Sequence, residues 1–243
     1  MRKLTWNNVL GSVSLALFLS AHPCMAGEDL VTTAQDRNGQ TVPYILNTNN
    51  LFPRYVVILF PGGNGNVNPR MEDGKLVYGF RGNFVVRTRP LIVDDEFATV
   101  TTNSTQIEER IQAVLDDLKR RFPAAKIYLM GTSNGTFDTM KLAAYLSDKI
   151  AGEIHTSSLQ GIAGFNGRKY ANRQLVVHHR DDGCRATPFS AARASHSWHG
   201  TELIAMEGGI SVGNVCEPFG HHGFNGIEKD TIDAIKNWIR QDN

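Results

Sequence analysis

Apolar positions along the chain fall into runs of two kinds, and each kind predicts an element. Tyr55 to Phe60, "YVVILF", contains no polar residue. An uninterrupted run of this length suits a parallel strand covered on both faces, because neither side of its pleat meets water. "AKIYLM" from Ala125 and "QLVVH" from Gln174 to His178 read the same way, with further strands expected at Glu153 to Ser158 and Thr201 to Met206. The second kind recurs at helical spacing. Ile107, Ile111, Val114, Leu115, Leu118 and Phe122 mark a helix over 105–122, with Thr105 and Glu108 placed to form a capping box and Pro123 closing it. Phe137, Met140, Ala144 and Leu146 mark a second helix, and Ile232, Ile235, Trp238 and Ile239 a closing one. Strands alternating with helices predict a three-layer α/β/α sandwich around a mostly parallel sheet. Ligands of such sheets bind beyond the carboxyl ends of the strands, so the loops that follow the strands are where chemistry belongs.

Composition narrows this picture. The 243 residues suit one domain with a sizeable core. Arg2 and Lys3 precede an apolar stretch from Val9 to Ala21, and "CMA" before Gly27 has the small-residue character of a cleavage site. The stretch is shorter than the roughly 20 residues a membrane-spanning helix needs. Residues 1–26 therefore read as an export signal and 27–243 as the mature domain, periplasmic or secreted, with no stable membrane insertion. The "AHPC" before Met25 is a poor lipoprotein box. Loss of Arg2 and Lys3 takes the formal charge from +1 to −1. A near-neutral chain without basic clusters gives no electrostatic reason to bind nucleic acid. Cys24 leaves with the signal, and Cys184 and Cys216 remain as an even pair in an oxidising compartment, where one disulfide is expected.

Three loops carry candidate chemistry. "IYLMGTSNGTFD" from Ile127 follows an apolar strand with Gly131, Ser133 and Gly135 and then resumes a helical pattern. Small neighbours are needed where a serine is held on a sharp strand-to-helix turn. The second loop is "HHRDDGC" from His178, and the third "PFGHHGFNG" from Pro218. A serine hydroxyl is a weak nucleophile until an imidazole takes its proton, and a carboxylate best orients that imidazole. The glycine-rich "PGGNGNVNP" lacks the Gly-Lys-Ser/Thr ending of a P-loop, which argues against nucleotide binding.

The order Ser, Asp, His resembles that of the α/β-hydrolase fold family, and the resemblance extends over nearly all of the mature chain. "GTSNGT" is similar to its nucleophile elbow, "LFPGGNG" to its oxyanion loop, "VVHHRDD" to its acid loop and "GHHGF" to its histidine loop. The resemblance implies Ser133 as nucleophile. Counting the family's H-G-x-x-D from His178 favours Asp182 over Asp181 as the acid, although His179 stands in place of the glycine. "GH" followed by glycine favours His222 over His221 as the base, and His155, His178, His196 and His199 are left as structural or surface residues. The oxyanion donors implied are the backbone N–H of Asn134 and that of Gly63 or Asn64. Cys184 and Cys216 would tie the acid loop to the histidine loop. Only "LQGIAGFNGRKYANR" separates the expected sixth and seventh strands of the family's sheet, too little for a cap domain.

The function implied is an exported serine hydrolase acting on a small-molecule carboxylic ester, with no metal and no organic cofactor. A serine peptidase or amidase on the same triad, and a non-catalytic binding protein retaining the fold, are the alternatives. Retention of Ser, Asp and His in family order argues against the last, since binding alone does not require all three.

Overall fold

Two covered faces are what an uninterrupted apolar strand demands, and the computed structural model, which describes residues 29–241, supplies them. Its main sheet has eight strands: β1 (Asp29–Gln35), β2 (Thr41–Asn47), β3 (Tyr55–Phe60), β6 (Phe97–Thr102), β7 (Lys126–Thr132), β8 (Gly152–Thr156), β9 (Arg173–His179) and β10 (Glu202–Met206). A two-stranded hairpin, β4 (Arg70–Glu72) and β5 (Lys75–Val77), stands apart from it. The strand order is β1-β2-β6-β3-β7-β8-β9-β10. β2 pairs antiparallel with both β1 and β6, and every pairing from β6 to β10 is parallel.

Alternate residues of each central strand enter different cores. Val56, Ile58 and Phe60 of β3 and Leu129 of β7 pack with α3 (Glu108–Arg121) and α4 (Gly135–Leu146) through Ile111, Leu115, Leu118, Leu142 and Leu146. Tyr55, Val57, Leu59, Tyr128 and Met130 face the opposite layer, where α1 (Phe84–Arg87), α2 (Arg89–Ile92) and α6 (Glu228–Arg240) contribute Phe84, Ile92, Ile232, Ile235 and Trp238. α5 (Phe189–His199) covers β9 through Ala191 and Ala192. The predicted three-layer sandwich with a mostly parallel sheet is the observed fold. Between β8 and β9 there are only two short 3-10 turns, Gln160–Gly164 and Gly167–Lys169, so no cap sits over the strand ends. No helix of the described residues is long and apolar enough to cross a membrane. The expected signal over 1–26 lies outside the described residues.

Several local expectations need correction. α3 begins at Glu108, not at 105, and the capping box does not form: Thr105 Oγ1 accepts from the Ile107 N–H at 3.0 Å, closing a local turn instead. Ile107 is 54% exposed and belongs to that turn. α4 turns a different face inward from the one its large residues suggest. Phe137 and Ala144 are exposed, whereas Thr136, Thr139, Leu142, Ala143 and Leu146 are buried. The helix rests so close to the sheet that small side chains must form its contact. β1, β2, β6, α5 and the β4–β5 hairpin had no clear apolar signature. β1 is a partly exposed edge strand, and β6, "FATVTT", is buried in spite of its three threonines.

Candidate active site

The turn from β7 into α4 is made by Ser133, a non-glycine residue at φ 51°, a conformation that costs an L-residue about 1–2 kcal/mol. Its N–H donates to Thr156 O (3.0 Å), and its carbonyl accepts from Thr136 N (3.0 Å). The flanking glycines are required by close approach. A Cβ on Gly131 would stand 2.7 Å from Gly135 O, and one on Gly135 would stand 2.7 Å from the carbonyl oxygens of Phe60 and Pro61. Thus the G-x-S-x-G spacing lets the elbow lie flat against the end of β3.

The loop after β3 runs past the serine. A Cβ on Gly62 would come within 2.9 Å of Ser133 Cβ, so this position also has to be glycine. Asn134 Nδ2 donates to Gly63 O (2.7 Å), which fixes the peptide of a glycine at φ 62°. The backbone N–H groups of Gly63 and Asn134 make no hydrogen bond among the described residues, and both residues line one cavity with Ser133. Asn64, the other donor considered, is not among the residues lining that cavity, and its side chain accepts from Asn66 N (3.1 Å).

β9 delivers the acid loop and a 3-10 turn, His221–Gly223, the histidine. The structure brings Asp182 and His222 together, with His222 Nδ1 3.0 Å from Asp182 Oδ2. Asp181 is exposed, and its hydrogen bond with His221 runs through its backbone oxygen (3.2 Å); the His221 ring stacks on that of His179 at 4.3 Å. The Asp182 carboxylate is crowded with donors: Thr187 Oγ1 (2.9 Å), Cys184 N (3.0 Å) and His178 Nε2 (3.3 Å). Burial opposes its ionisation, but the bonds from His178, His222 and Cys184 outweigh burial and hold the carboxyl well below the usual carboxylate range. Thr187 also lies 3.1 Å from His222 Nδ1. With Nδ1 engaged by Asp182 and Thr187, Nε2 is the nitrogen available to a serine. Ser133 and His222 open on the same cavity, with no hydrogen bond between them among the described residues; such contacts tighten when substrate binds.

The histidine loop is anchored from two sides. Ser157 Oγ donates to His222 O (2.6 Å), and Arg87 donates to Gly223 O (2.6 Å) and Gly82 O (2.8 Å). Cys184 and Cys216 are bonded and contribute to the wall of the cavity, about 610 Å³ in volume. Sequence reasoning missed Thr187, Ser157 and Arg87, and left His178 as structural or surface. His178 is fully buried against the acid, and its place four residues before Asp182 was the one legible signal. His155 is buried away from the cavity between Thr139 Oγ1 (2.8 Å) and Gln174 Oε1 (3.0 Å). Ligand-capable atoms of His179, Asp181 and His221 lie within 4.8 Å of one another. Two parallel stacked imidazoles cannot aim their in-plane lone pairs at one ion, however, and both His179 nitrogens are engaged, with Asp181 N and Gly208 O.

No protein-family model and no curated protein matches this sequence. Solved structures do. Est1E from Butyrivibrio proteoclasticus superposes with a TM-score of 0.61 at 18% identity, over 87% of this chain and 98% of that one. XC6422 from Xanthomonas campestris, described as an α/β serine hydrolase without lid, gives 0.56 at 12% identity, over 88% and 97%. A puromycin-hydrolyzing peptidase from Mycobacterium tuberculosis gives 0.58 at 14% identity, over 89% of this chain and 40% of that one. The chain has the α/β-hydrolase fold in its cap-less form.

Proposed function

We propose that this protein is an exported serine hydrolase that cleaves carboxylic esters through an acyl-enzyme. The observation that carries the reading is the pairing of Asp182 with His222 at 3.0 Å beside a cavity onto which the strained Ser133 also opens. Ser133 Oγ attacks the ester carbonyl while His222 Nε2 takes its proton, and Asp182 holds the imidazole in the Nδ1–H tautomer and stabilises the imidazolium that forms. The N–H groups of Gly63 and Asn134 receive the negative charge on the carbonyl oxygen. Collapse of this intermediate expels the alcohol, which takes the proton back from His222. Water then repeats the sequence on the acyl-enzyme, and Ser133 is regenerated.

Fluorophosphonate labelling and hydrolysis of p-nitrophenyl hexanoate test the reading together. Both are expected of the wild type, and both are expected to vanish in folded Ser133→Ala. A folded Ser133→Ala protein that still hydrolyses the ester at the wild-type rate removes Ser133 from the mechanism. The peptidase reading shares the labelling and is favoured instead if p-nitroanilides turn over faster than the matching esters. Export after cleavage at Ala26 is supported by the disulfide, and the intact mass of the exported protein tests it.

A further inference from the structure

Among the described residues lining the cavity beside Ser133 there is no lysine or arginine, and the one carboxylate is that of Glu217. The rest of the wall is apolar or neutral: Phe80, Phe84, Leu159 and Pro218, with the Cys184–Cys216 bridge. The wall is firmly built. Phe80 sits at φ 58°, where a bulky residue is a genuine outlier, and its ring packs so tightly on Gly63 that a Cβ there would meet Cε1 at 2.7 Å.

The Glu217 backbone is held as well, with its side chain exposed at the edge of the cavity. Its N–H donates to Asn214 O (2.9 Å), its carbonyl accepts from Gly220 N (3.2 Å), and its neighbour Cys216 is bonded across to Cys184. No ion pair among the described residues neutralises its carboxylate. Arg87, which joins Gly82 and Gly223 of the wall, is already paired with Glu228 (3.0 Å).

We infer that this site takes uncharged or cationic esters with an apolar acyl group, and that Glu217 excludes esters whose acyl chain ends in an anion. The inference rests on the ester-hydrolase reading. An anionic group entering the cavity leaves water for phenylalanine, leucine and disulfide sulfur with no lysine or arginine among the lining residues, and it meets the charge of Glu217, of its own sign, at the edge. Discrimination then comes from repulsion of the wrong substrate as well as attraction of the right one.

The test compares p-nitrophenyl hexanoate with the p-nitrophenyl monoester of adipic acid, which replaces the terminal methyl by a carboxylate at equal chain length. The readout is the ratio of their kcat/KM values, so a general loss of activity in a variant cancels. The wild type is expected to favour hexanoate by about tenfold or more. Glu217→Gln should shrink that ratio about fivefold, and so should about 1 M salt on the wild type, where the screening length falls to about 3 Å. The salt arm needs no variant to fold. A wild-type ratio near one overturns the inference, as does a ratio that neither Glu217→Gln nor salt alters. Absence of hexanoate hydrolysis and of fluorophosphonate labelling overturns the hydrolase reading and the inference with it, whereas equal hydrolysis of both esters overturns the inference alone.

Discussion

His178 Nε2 lies 3.3 Å from Asp182 Oδ2, the same oxygen that His222 Nδ1 reaches at 3.0 Å. Its other neighbour, Thr187 O at 2.9 Å, is also an acceptor, so Nε2 carries the proton. Nδ1 is then a buried acceptor with no hydrogen-bond partner among the described residues, a loss of about 1–3 kcal/mol that the fold tolerates while His178 steadies the carboxylate.

That arrangement makes His178 a positioning residue. A hydrogen bond to a charged group is worth about 1.5–3 kcal/mol, so His178→Ala should lower kcat about 10–100-fold and leave KM nearly unchanged. His178→Gln, which keeps a side-chain N–H, should recover part of the loss. Steady-state kinetics on p-nitrophenyl hexanoate decide it. Equal falls in thermal stability and kcat for both variants would reduce His178 to a packing residue.

Asp182→Asn should lower kcat by about 10³–10⁴, because an amide favours the wrong imidazole tautomer. Asp181→Asn should stay within a few fold, since the Asp181 side chain is exposed and its hydrogen bond with His221 runs through the backbone oxygen, which the substitution keeps. The reverse order of damage would move the acid to Asp181.

Ser133 is held at φ 51°, so two inactive variants should differ in stability. Ser133→Gly relieves the left-handed strain that Ser133→Ala keeps, less the extra freedom glycine gains on unfolding. The glycine variant should be up to about 1 kcal/mol the more stable in urea unfolding. A more stable alanine variant would argue against strain at the elbow.

Glu153 on β8 gives stability a pH dependence of its own. It is fully buried with no well-formed hydrogen bond to either carboxyl oxygen among the described residues, and burial pushes it up to about 8, against a smaller opposing pull from the nearby amides of Asn172 and Gln174. Between its ordinary 4.5 and about 8 the unfolded chain loses a proton that the folded chain keeps, so stability falls as pH rises, by about 1.4 kcal/mol per unit. Burial lowers His155 from 6.5 to about 4, which makes stability fall as pH drops through that window. The two effects cancel between 4.5 and 6.5. From 6.5 to about 8 only the Glu153 effect remains, and Glu153→Gln should abolish it and stabilise the protein at the alkaline end. Urea midpoints at the two ends of that range measure it, and an unchanged slope in the variant would place the ionised carboxylate in the native fold.

Tyr55–Phe60 was legible as a strand because burial on both faces removes every polar position, a property written into consecutive residues. The serine elbow was legible for a similar reason. The contact that demands Gly131 is made with Gly135 and Thr139, a few positions on, so that requirement appears as local spacing, whereas Gly135 answers to the carbonyls of Phe60 and Pro61 at the distant end of β3. β1, β2 and β6 escaped the pattern because their burial depends on which strands lie beside them, and α5 because alanines suffice where it meets β9. The pairing of Asp182 with His222, and the cluster of Thr187 and His178 around them, was decided by the tertiary structure. It joins residues separated by up to 44 positions, and whether Asp181 or Asp182 turns inward depends on how the loop leaves β9, with His179 bonded to Asp181 N and Asp182 capping Cys184 N. Residue types and order fix which chemistry is available to this chain. The direction in which each side chain points is fixed only when the loops at the ends of β3, β7, β9 and β10 close around one cavity.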